Sequence, residues 1–355
     1  MIYPSANSRL ADELLDWYDR HHRRLPWRMP PGGGQSDPYH VWLSEIMLQQ
    51  TTVAAVRDYF LKFTRTWPDV HALADADLED ILRAWAGLGY YARARNLHKC
   101  AGVVSHEHYG QFPRTAAELQ KLPGIGPYTA AAIASIAFEE PVAAVDGNVE
   151  RVLARYYALE TPLPEVKPEI KQRAQAIVPQ ERSGDFAQAL MDLGATVCAP
   201  RKANCLICPW TSDCQGRSLG IADTLPRKAP KKAKPTRSGT CFWVERADGA
   251  VLLRRRPERG LLGGMIEIPS TGWSEAPAPS PEHGAPVTGT WSKLPAEVTH
   301  TFTHFHLELE IWKLRGTGEN ARPGPDYRWV RKEDLAAEAL PSVMRKVVAA
   351  VLGEA

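Results

Sequence analysis

Glu45 and Asp146 are the two residues whose surroundings suggest acid chemistry. Glu45 sits in Val41-Trp42-Leu43-Ser44-Glu45-Ile46-Met47-Leu48, a stretch that is otherwise almost wholly apolar. On a helix, Val41 and Leu48 share its face. Burial among such neighbours disfavours the carboxylate and raises its pKa, which a general acid working near neutral pH requires. A surface glutamate paired with an arginine is an equally good reading of that stretch alone. Asp146 follows the apolar run Pro141–Val145 and begins Asp-Gly-Asn-Val-Glu-Arg-Val. Its local role is a helix cap, shared with Asn148. A carboxylate at a helix mouth also stays ionised. One neutral and one ionised carboxyl are the usual equipment for cleaving a glycosidic bond, the acid serving the leaving group and the charge serving the sugar cation.

The chain has six cysteines. Four follow the spacing Cys198-x6-Cys205-x2-Cys208-x5-Cys214, while Cys100 and Cys241 stand apart. This clustering points to a metal centre rather than a disulfide framework. Zinc held by four thiolates and a [4Fe–4S] cluster both fit four sulfurs in one short loop. Only one CxxC pair is present, which is less than zinc ribbons usually show, and the spacing also departs from ferredoxin patterns. Arg201, Lys202 and Arg217 surround the loop and offer charge to phosphates.

A third motif, Leu122-Pro123-Gly124-Ile125-Gly126-Pro127-Tyr128-Thr129, precedes the small-residue run AAAIASIAF. Thr115 and Glu118 form a capping box for a short helix before it. Gly124 and Gly126 permit a tight turn, and Pro127 starts the next helix. A helix N-terminus beside a glycine-rich turn presents free N–H groups to an anion such as phosphate.

The elements that would position these residues fall into two kinds. Apolar residues at helical period predict helices over 9–22, 40–50, 52–65, 77–86, 92–109, 115–121, 127–138, 149–158, 167–177 and 184–196. Trp85 reads as helix core. No alternating strand appears in this all-α half. After residue 238 the period becomes two. TCFWVER and AVLLRR flank Asp248-Gly249 as a hairpin, HFHLELEIWKL reads as a half-buried strand, and a helix closes the chain over 343–352. Residues 275–286 are a proline-rich loop. This half is α+β.

Charge marks the boundary. Residues 1–224 hold 23 Lys and Arg against 26 Asp and Glu, and residues 239–355 hold 14 against 15. Between them, 225–238 (LPRKAPKKAKPTRS) holds six basic residues, no acidic one and three prolines. It reads as a linker, either simply solvated or touching phosphates through Lys228, Lys231, Lys232 and Lys234. The formal net charge of +2 excludes a uniformly basic coat protein but not a locally basic DNA binder. No run of 18 apolar residues predicts a membrane span, and MIYPSANSRL does not read as a signal peptide. A cytoplasmic protein with reduced cysteines is expected.

The cysteine spacing and the LPGIGPYT turn resemble the iron–sulfur loop and helix-hairpin-helix of the endonuclease III superfamily of DNA glycosylases. With SEIMLQQT, GLGYYARARNL and VDGNVERVLAR in order, the chain is similar over essentially its whole length to the MutY family of adenine DNA glycosylases. The resemblance implies an all-α helix-hairpin-helix glycosylase domain over 1–224 with a [4Fe–4S] loop at 198–214. A linker over 225–238 and an α+β Nudix-like domain over 239–355, reading 8-oxoguanine, would follow.

The family removes adenine mispaired with 8-oxoguanine or guanine in double-stranded DNA. The resemblance therefore implies that Glu45 protonates adenine, at N7, and that Asp146 stabilises the resulting sugar cation, with Tyr128 and Asn148 in support. Trp27, Arg28 and Gln188 would line the adenine pocket. Gln50, Thr51, Leu88 and Tyr90 would contact DNA around the retained base, the first and last two as wedges. Gly124 and Gly126 would hold phosphate. Phe302-Thr303-His304 would meet the 8-oxoguanine, with Thr where the family has Ser. A monomer associated with the nucleoid, if bacterial, is expected. Tyr128 occupies the position where bifunctional members carry a Schiff-base lysine, so a monofunctional enzyme is expected. The alternative is a bifunctional glycosylase and abasic-site lyase; a damage-binding protein without catalysis and a nucleotide-pool Nudix hydrolase are more distant rivals. The stretch APAPSPEHGAP stands where a catalytic Nudix helix would lie and disfavours one. His300, His304 and His306 read as a strand edge rather than a metal site. Met29–Gln35 looks inserted and puts the placement of Trp27 and Arg28 in question.

Overall fold

The structure is a computed structural model that describes residues 6–230, 233–257, 260–317 and 324–353. It resolves into two compact units, the chain to Leu78 with Arg93–Pro230, and Glu79–Ala92 with the chain from Lys231.

The first unit is helical, with α1 (Ala6–His21), α2 (Pro38–Leu48), α3 (Val53–Thr66) and the short α4 (Val70–Ala74). The stretch α5 (Leu78–Trp85) falls almost wholly with the other unit. The first unit resumes with α6 (Ala92–His106), α7 (Ala116–Leu119), α8 (Pro127–Phe138), α9 (Gly147–Tyr156), α10 (Lys167–Ala176), α11 (Ser183–Asp192) and α12 (Gln215–Ser218). Asp37 starts α2 by accepting from Tyr39 N at 2.8 Å, with Pro38 in the first helical position. Helix α8 is buried along most of its length, and its many small side chains, alanine with Thr129 and Ser135, let α2 and α11 pack closely on it. Gly184 is required for that approach. A Cβ there would lie 2.7 Å from Ser135 O and 2.9 Å from the Ile136 Cα.

Several boundaries differ from the sequence reading. The helix expected over 184–196 ends at Asp192 and continues as a wide π-turn, Leu193–Val197. Gly194 in that turn lies against Asn148, where a Cβ would sit 2.6 Å from the Asn148 Cβ. The helix expected over 115–121 is only Ala116–Leu119, and α4 was not expected. The segment 225–238 is not one linker. Leu225 is buried, Leu163 N donates to Arg227 O at 2.9 Å, and Leu163 bridges Lys228, so its first part belongs to the helical unit. Thr236–Ser238 open a strand. Composition marked this stretch as solvated, but its backbone groups still pair with neighbouring chain. Lys231 and Lys232 lie outside the described residues.

The second unit carries a mixed sheet of β1 (Thr236–Arg246), β2 (Val251–Arg255), β3 (Ile266–Glu267), β4 (Ser292–Thr301), β5 (His306–Thr317) and β6 (Tyr327–Val330). The order is β3-β2-β1-β5-β4, with β6 also paired to β2. Strands β1 and β5 run parallel and the other pairs antiparallel. Gly249, at φ +84°, makes the expected β1–β2 hairpin. Inward residues of β1 and β5, among them Trp243, Leu307, Leu309 and Ile311, form the core with Val343, Met344 and Val347 of α13 (Ser342–Leu352). Between β3 and β4 the chain has one 3-10 turn, Pro281–His283, and no α-helix. Trp85 is fully buried, as expected.

Candidate active site and metal centre

Glu45 and Asp146 face the same cleft of about 570 Å³ in the helical unit. That volume suits a small-molecule-sized group. The cleft walls include Trp27, Arg28, Val41, Leu48, Gln50, Thr51, Tyr128, Asn148 and Gln188. Every expected catalytic and adenine-pocket residue is therefore in one place.

Glu45 is only 7% exposed. Burial pushes its carboxyl up to about 7; a hydrogen bond with Tyr128 and the charge of Arg28 oppose the rise, and the negative charge of Asp146 adds to it. The helix α2 that carries Glu45 also sends Val41 and Leu48 to the cleft, as one helical face must. The Tyr128 phenol is raised well above its ordinary value, by desolvation first and then by the charges of Glu45 and Asp146. It stays neutral and remains a hydrogen-bonding group.

Asp146 caps α9. Its Oδ1 accepts from Asn148 N at 2.9 Å and Val149 N at 2.8 Å, and its Oδ2 accepts from Asn148 Nδ2 at 2.8 Å. The cap and the catalytic candidate are thus one side chain, aimed by the helix it starts. Asn148 Oδ1 in turn accepts from Arg151 Nη2 at 2.9 Å, which fixes the amide's orientation. Arg151 also donates to Gly194 O at 2.6 Å and to Cys198 O at 2.8 Å. The π-turn brings both carbonyls within its reach.

Arg28 is held by Asp192, a fully buried carboxylate that accepts from Arg28 Nη1 at 2.7 Å and Arg23 Nε at 2.7 Å. Trp27 packs edge-on against Phe60, with ring centroids 5.3 Å apart. The Met29–Gln35 loop does not displace this pair. It closes on itself and against α8, where Gln35 Nε2 donates to Ala137 O at 2.7 Å, and part of it lines a neighbouring cavity of about 520 Å³. Gln188 lies between the two cavities, with a buried Oε1 that has no hydrogen-bond partner. Arg151 and Asp192 were missed in the sequence. Arg151 could have been found three residues after Asn148 on one helix face; Asp192 meets its arginines across more than 160 positions, with no local signal.

Apart from Gln50 and Thr51 on the cleft wall, the remaining expected residues lie elsewhere. Gly124, at φ +76°, turns between α7 and α8, and a Cβ there would meet the Asn96 Cβ at 2.6 Å. Gly126 is the N-cap of α8, with no side chain to occupy the helix end. Leu88 and Tyr90 fall on the segment grouped with the second unit. Leu88 is buried, whereas Tyr90 is 50% exposed. Gln50 and Tyr90 both adopt left-handed backbone, at φ 57° and 49°. Phe302, Thr303 and His304 form the turn between β4 and β5, with Thr303 and His304 exposed. Thr303 Oγ1 lies 3.2 Å from Tyr90 Oη within that unit. His306 pairs with Thr301 through Nδ1 at 3.0 Å, and the three histidines share no metal-holding group.

Cys198, Cys205, Cys208 and Cys214 line one small cavity with Arg155. Arg155, itself buried, donates to Cys198 Sγ at 3.4 Å and to the carbonyls of Cys198, Ala199 and Pro200. Burial pushes the Cys208 thiol up to about 12 and raises Cys214. Among the described residues, no three Cys, His, Asp or Glu converge tightly enough for one metal ion. Four sulfurs around one cavity make an all-thiolate donor set, which suits either zinc or an iron–sulfur cluster.

Two family models match the chain. The HhH-GPD superfamily base excision DNA repair protein model covers residues 43–180, and a NUDIX domain model covers 240–350. The adenine DNA glycosylase of Homo sapiens is 36% identical over 96% of this chain and 73% of its own length. That of Mycolicibacterium smegmatis is 41% identical over 62% of this chain and 74% of its own length. A thermostable thymine-DNA glycosylase structure matches with a TM-score of 0.54 and 29% identity, over 60% of this chain and 97% of that one. A trapped endonuclease III–DNA intermediate, at 24% identity and a TM-score of 0.51, covers 61% of this chain and all of that one and shares the fold.

Proposed function

The chain belongs to the adenine DNA glycosylases, hydrolases of base excision repair, and from that premise we propose that its substrate is adenine opposite 8-oxoguanine or guanine in duplex DNA. The observation that carries the mechanism is Glu45, buried and pushed up to about 7, opposite Asp146 in one cleft. A carboxyl at that value is protonated often enough near neutral pH to deliver a proton. Glu45 donates to N7 of a flipped adenine and turns it into a leaving group. Tyr128, hydrogen-bonded to Glu45, orients that proton. Asp146, with both oxygens held by Asn148 and the start of α9, presents its charge to the oxocarbenium-like sugar as the bond breaks, directly or through a transient adduct that water resolves. Gln188 Oε1 offers its unpartnered acceptor to the exocyclic amine of adenine. Flipping costs on the order of a few kcal/mol of stacking, part of which Gln50, on the wall of the same cleft, would offset at the vacated stack.

The four cysteines would hold a [4Fe–4S] cluster, whose chemistry here is to brace the loop that follows α11. Arg155 would set one thiolate by its hydrogen bond. A broad visible absorbance in the purified protein, absent from the Cys205→Ala variant, supports the cluster; a colourless protein with four-thiolate zinc removes it.

Among the described residues no lysine lines the cleft, which disfavours the glycosylase-lyase alternative. Borohydride trapping of protein on DNA would restore it. The stretch between β3 and β4 forms no α-helix, which argues against nucleotide pyrophosphate cleavage. Among the described residues no helix is long and apolar enough to cross a membrane. The direct test is adenine release from A:8-oxoguanine, A:G and A:T duplexes. The wild type should act on the first two, and Glu45→Gln should lose at least about a hundredfold in rate, the lower end of general-acid catalysis. An untouched A:8-oxoguanine duplex sinks the substrate, and an active Glu45→Gln sinks the acid.

A further inference from the structure

We propose that Lys234, at the end of the basic segment, and Trp273 are positioning residues for the Phe302-Thr303-His304 turn, and that they set how sharply the enzyme distinguishes the base opposite adenine. This rests on the reading of that turn as the 8-oxoguanine contact.

The turn is closed by Phe302 N donating to Phe305 O at 2.9 Å. Its first carbonyl is then held from outside, where Lys234 Nζ donates to Phe302 O at 2.9 Å. The next residue, Pro235, accepts from His306 N at 2.9 Å on the far side of the turn. Thr236 then pairs with His306 as the first step of the parallel β1–β5 ladder. Lys234, Pro235 and Thr236 are thus fastened to both ends of the turn.

The ring of Phe302 is held as well. It stacks on Trp273, with centroids 5.7 Å apart at 30°, and on Phe305, at 4.9 Å and 30°. His300 meets it edge-on at 4.6 Å. Guanidinium groups cap both ends of the stack, Arg256 lying 4.8 Å over Trp273 and Arg237 4.5 Å over Phe305. Arg256 is in turn paired with Glu267, which is fully buried. Gly239 makes room for Trp273, since a Cβ there would stand 2.6 Å from its Cδ1. Phe302 is therefore fixed by both its backbone and its ring, while Thr303 and His304 project from it into solvent. A fixed base under two exposed polar side chains is how a recognition turn avoids an ordering cost on binding.

A plain phosphate contact at Lys234 makes a different prediction, because such contacts carry no base information. The test measures dissociation constants and single-turnover rates for the full chain on A:8-oxoguanine, A:G and undamaged duplexes. The variants are Lys234→Met, Lys234→Arg and Trp273→Leu, with thermal unfolding as a check on folding. Loss of one hydrogen bond from a charged but exposed donor should cost Lys234→Met about fivefold in affinity for A:8-oxoguanine, with A:G and undamaged DNA nearly unchanged. Lys234→Arg should restore the preference. Trp273→Leu should lose it too, with saturated single-turnover rates on A:G unchanged. Equal weakening on all three duplexes, with the salt slope reduced by about one, would overturn the proposal in favour of a phosphate contact. Full discrimination retained in Lys234→Met and Trp273→Leu would overturn it alone. A wild type that does not prefer 8-oxoguanine over guanine would remove the reading of the turn and the proposal together.

Discussion

Glu45 must hold a proton that water would take from an ordinary carboxyl, and burial does most of that work. The acid is competent only while protonated, so adenine release should fall about tenfold per pH unit above about 7. Tyr128 opposes the rise through its hydrogen bond, so removing its hydroxyl moves the limb in a defined direction. In Tyr128→Phe the alkaline limb of the single-turnover rate should shift to higher pH, and a shift to lower pH would contradict the bond's assigned role. Of the site residues, Glu45 and Asp146 were legible in sequence, one from its apolar neighbours and the other from its capping context. Asp192 was not, because its partners Arg23 and Arg28 are remote in the chain and only tertiary packing unites them.

A helix boundary was legible where a proline signals it, as at Gly126-Pro127. The π-turn Leu193–Val197 was not, since its residues read as a continuing helix. Its width is decided by contacts, with Gly194 against Asn148 and its carbonyl on Arg151. The close approach of α8 and α11 is a second property that only packing reveals. Gly184→Ala should destabilise the helical unit by about 1–3 kcal/mol, because the added methyl meets the backbone of α8 rather than a side chain that can move. Urea unfolding would show it, and an unchanged midpoint would mean that the helices can part at no cost.

Across the whole chain, charge composition located the change from an all-α to an α+β unit but misjudged its edges. The six basic residues of 225–238 suggested one solvated tether. In the structure the stretch begins in one unit and ends in the other, because a backbone rich in Lys and Pro can still offer carbonyls to neighbours. The grouping of Glu79–Ala92 with the second unit was also beyond sequence, since its helical period said only that it would be buried somewhere.

The buried acid also has a consequence for the thermodynamics of folding. Its carboxyl stands at about 7 in the native state against 4.5 ordinarily. Between those values the unfolded chain releases a proton that the folded chain keeps, so stability falls as pH rises through the window and the loss is complete above about 7. The shift corresponds to about 3 kcal/mol, a large share of a typical domain's stability. Glu45→Gln should therefore unfold at higher urea than the wild type at pH 8 and gain little at pH 4. Equal gains at both values would mean that the amide packs better, not that a proton is at stake. An enzyme that carries this acid is less stable at the pH of its work than its own inactive variant, and any second substitution that costs a few kcal/mol will be felt more strongly there than in acid.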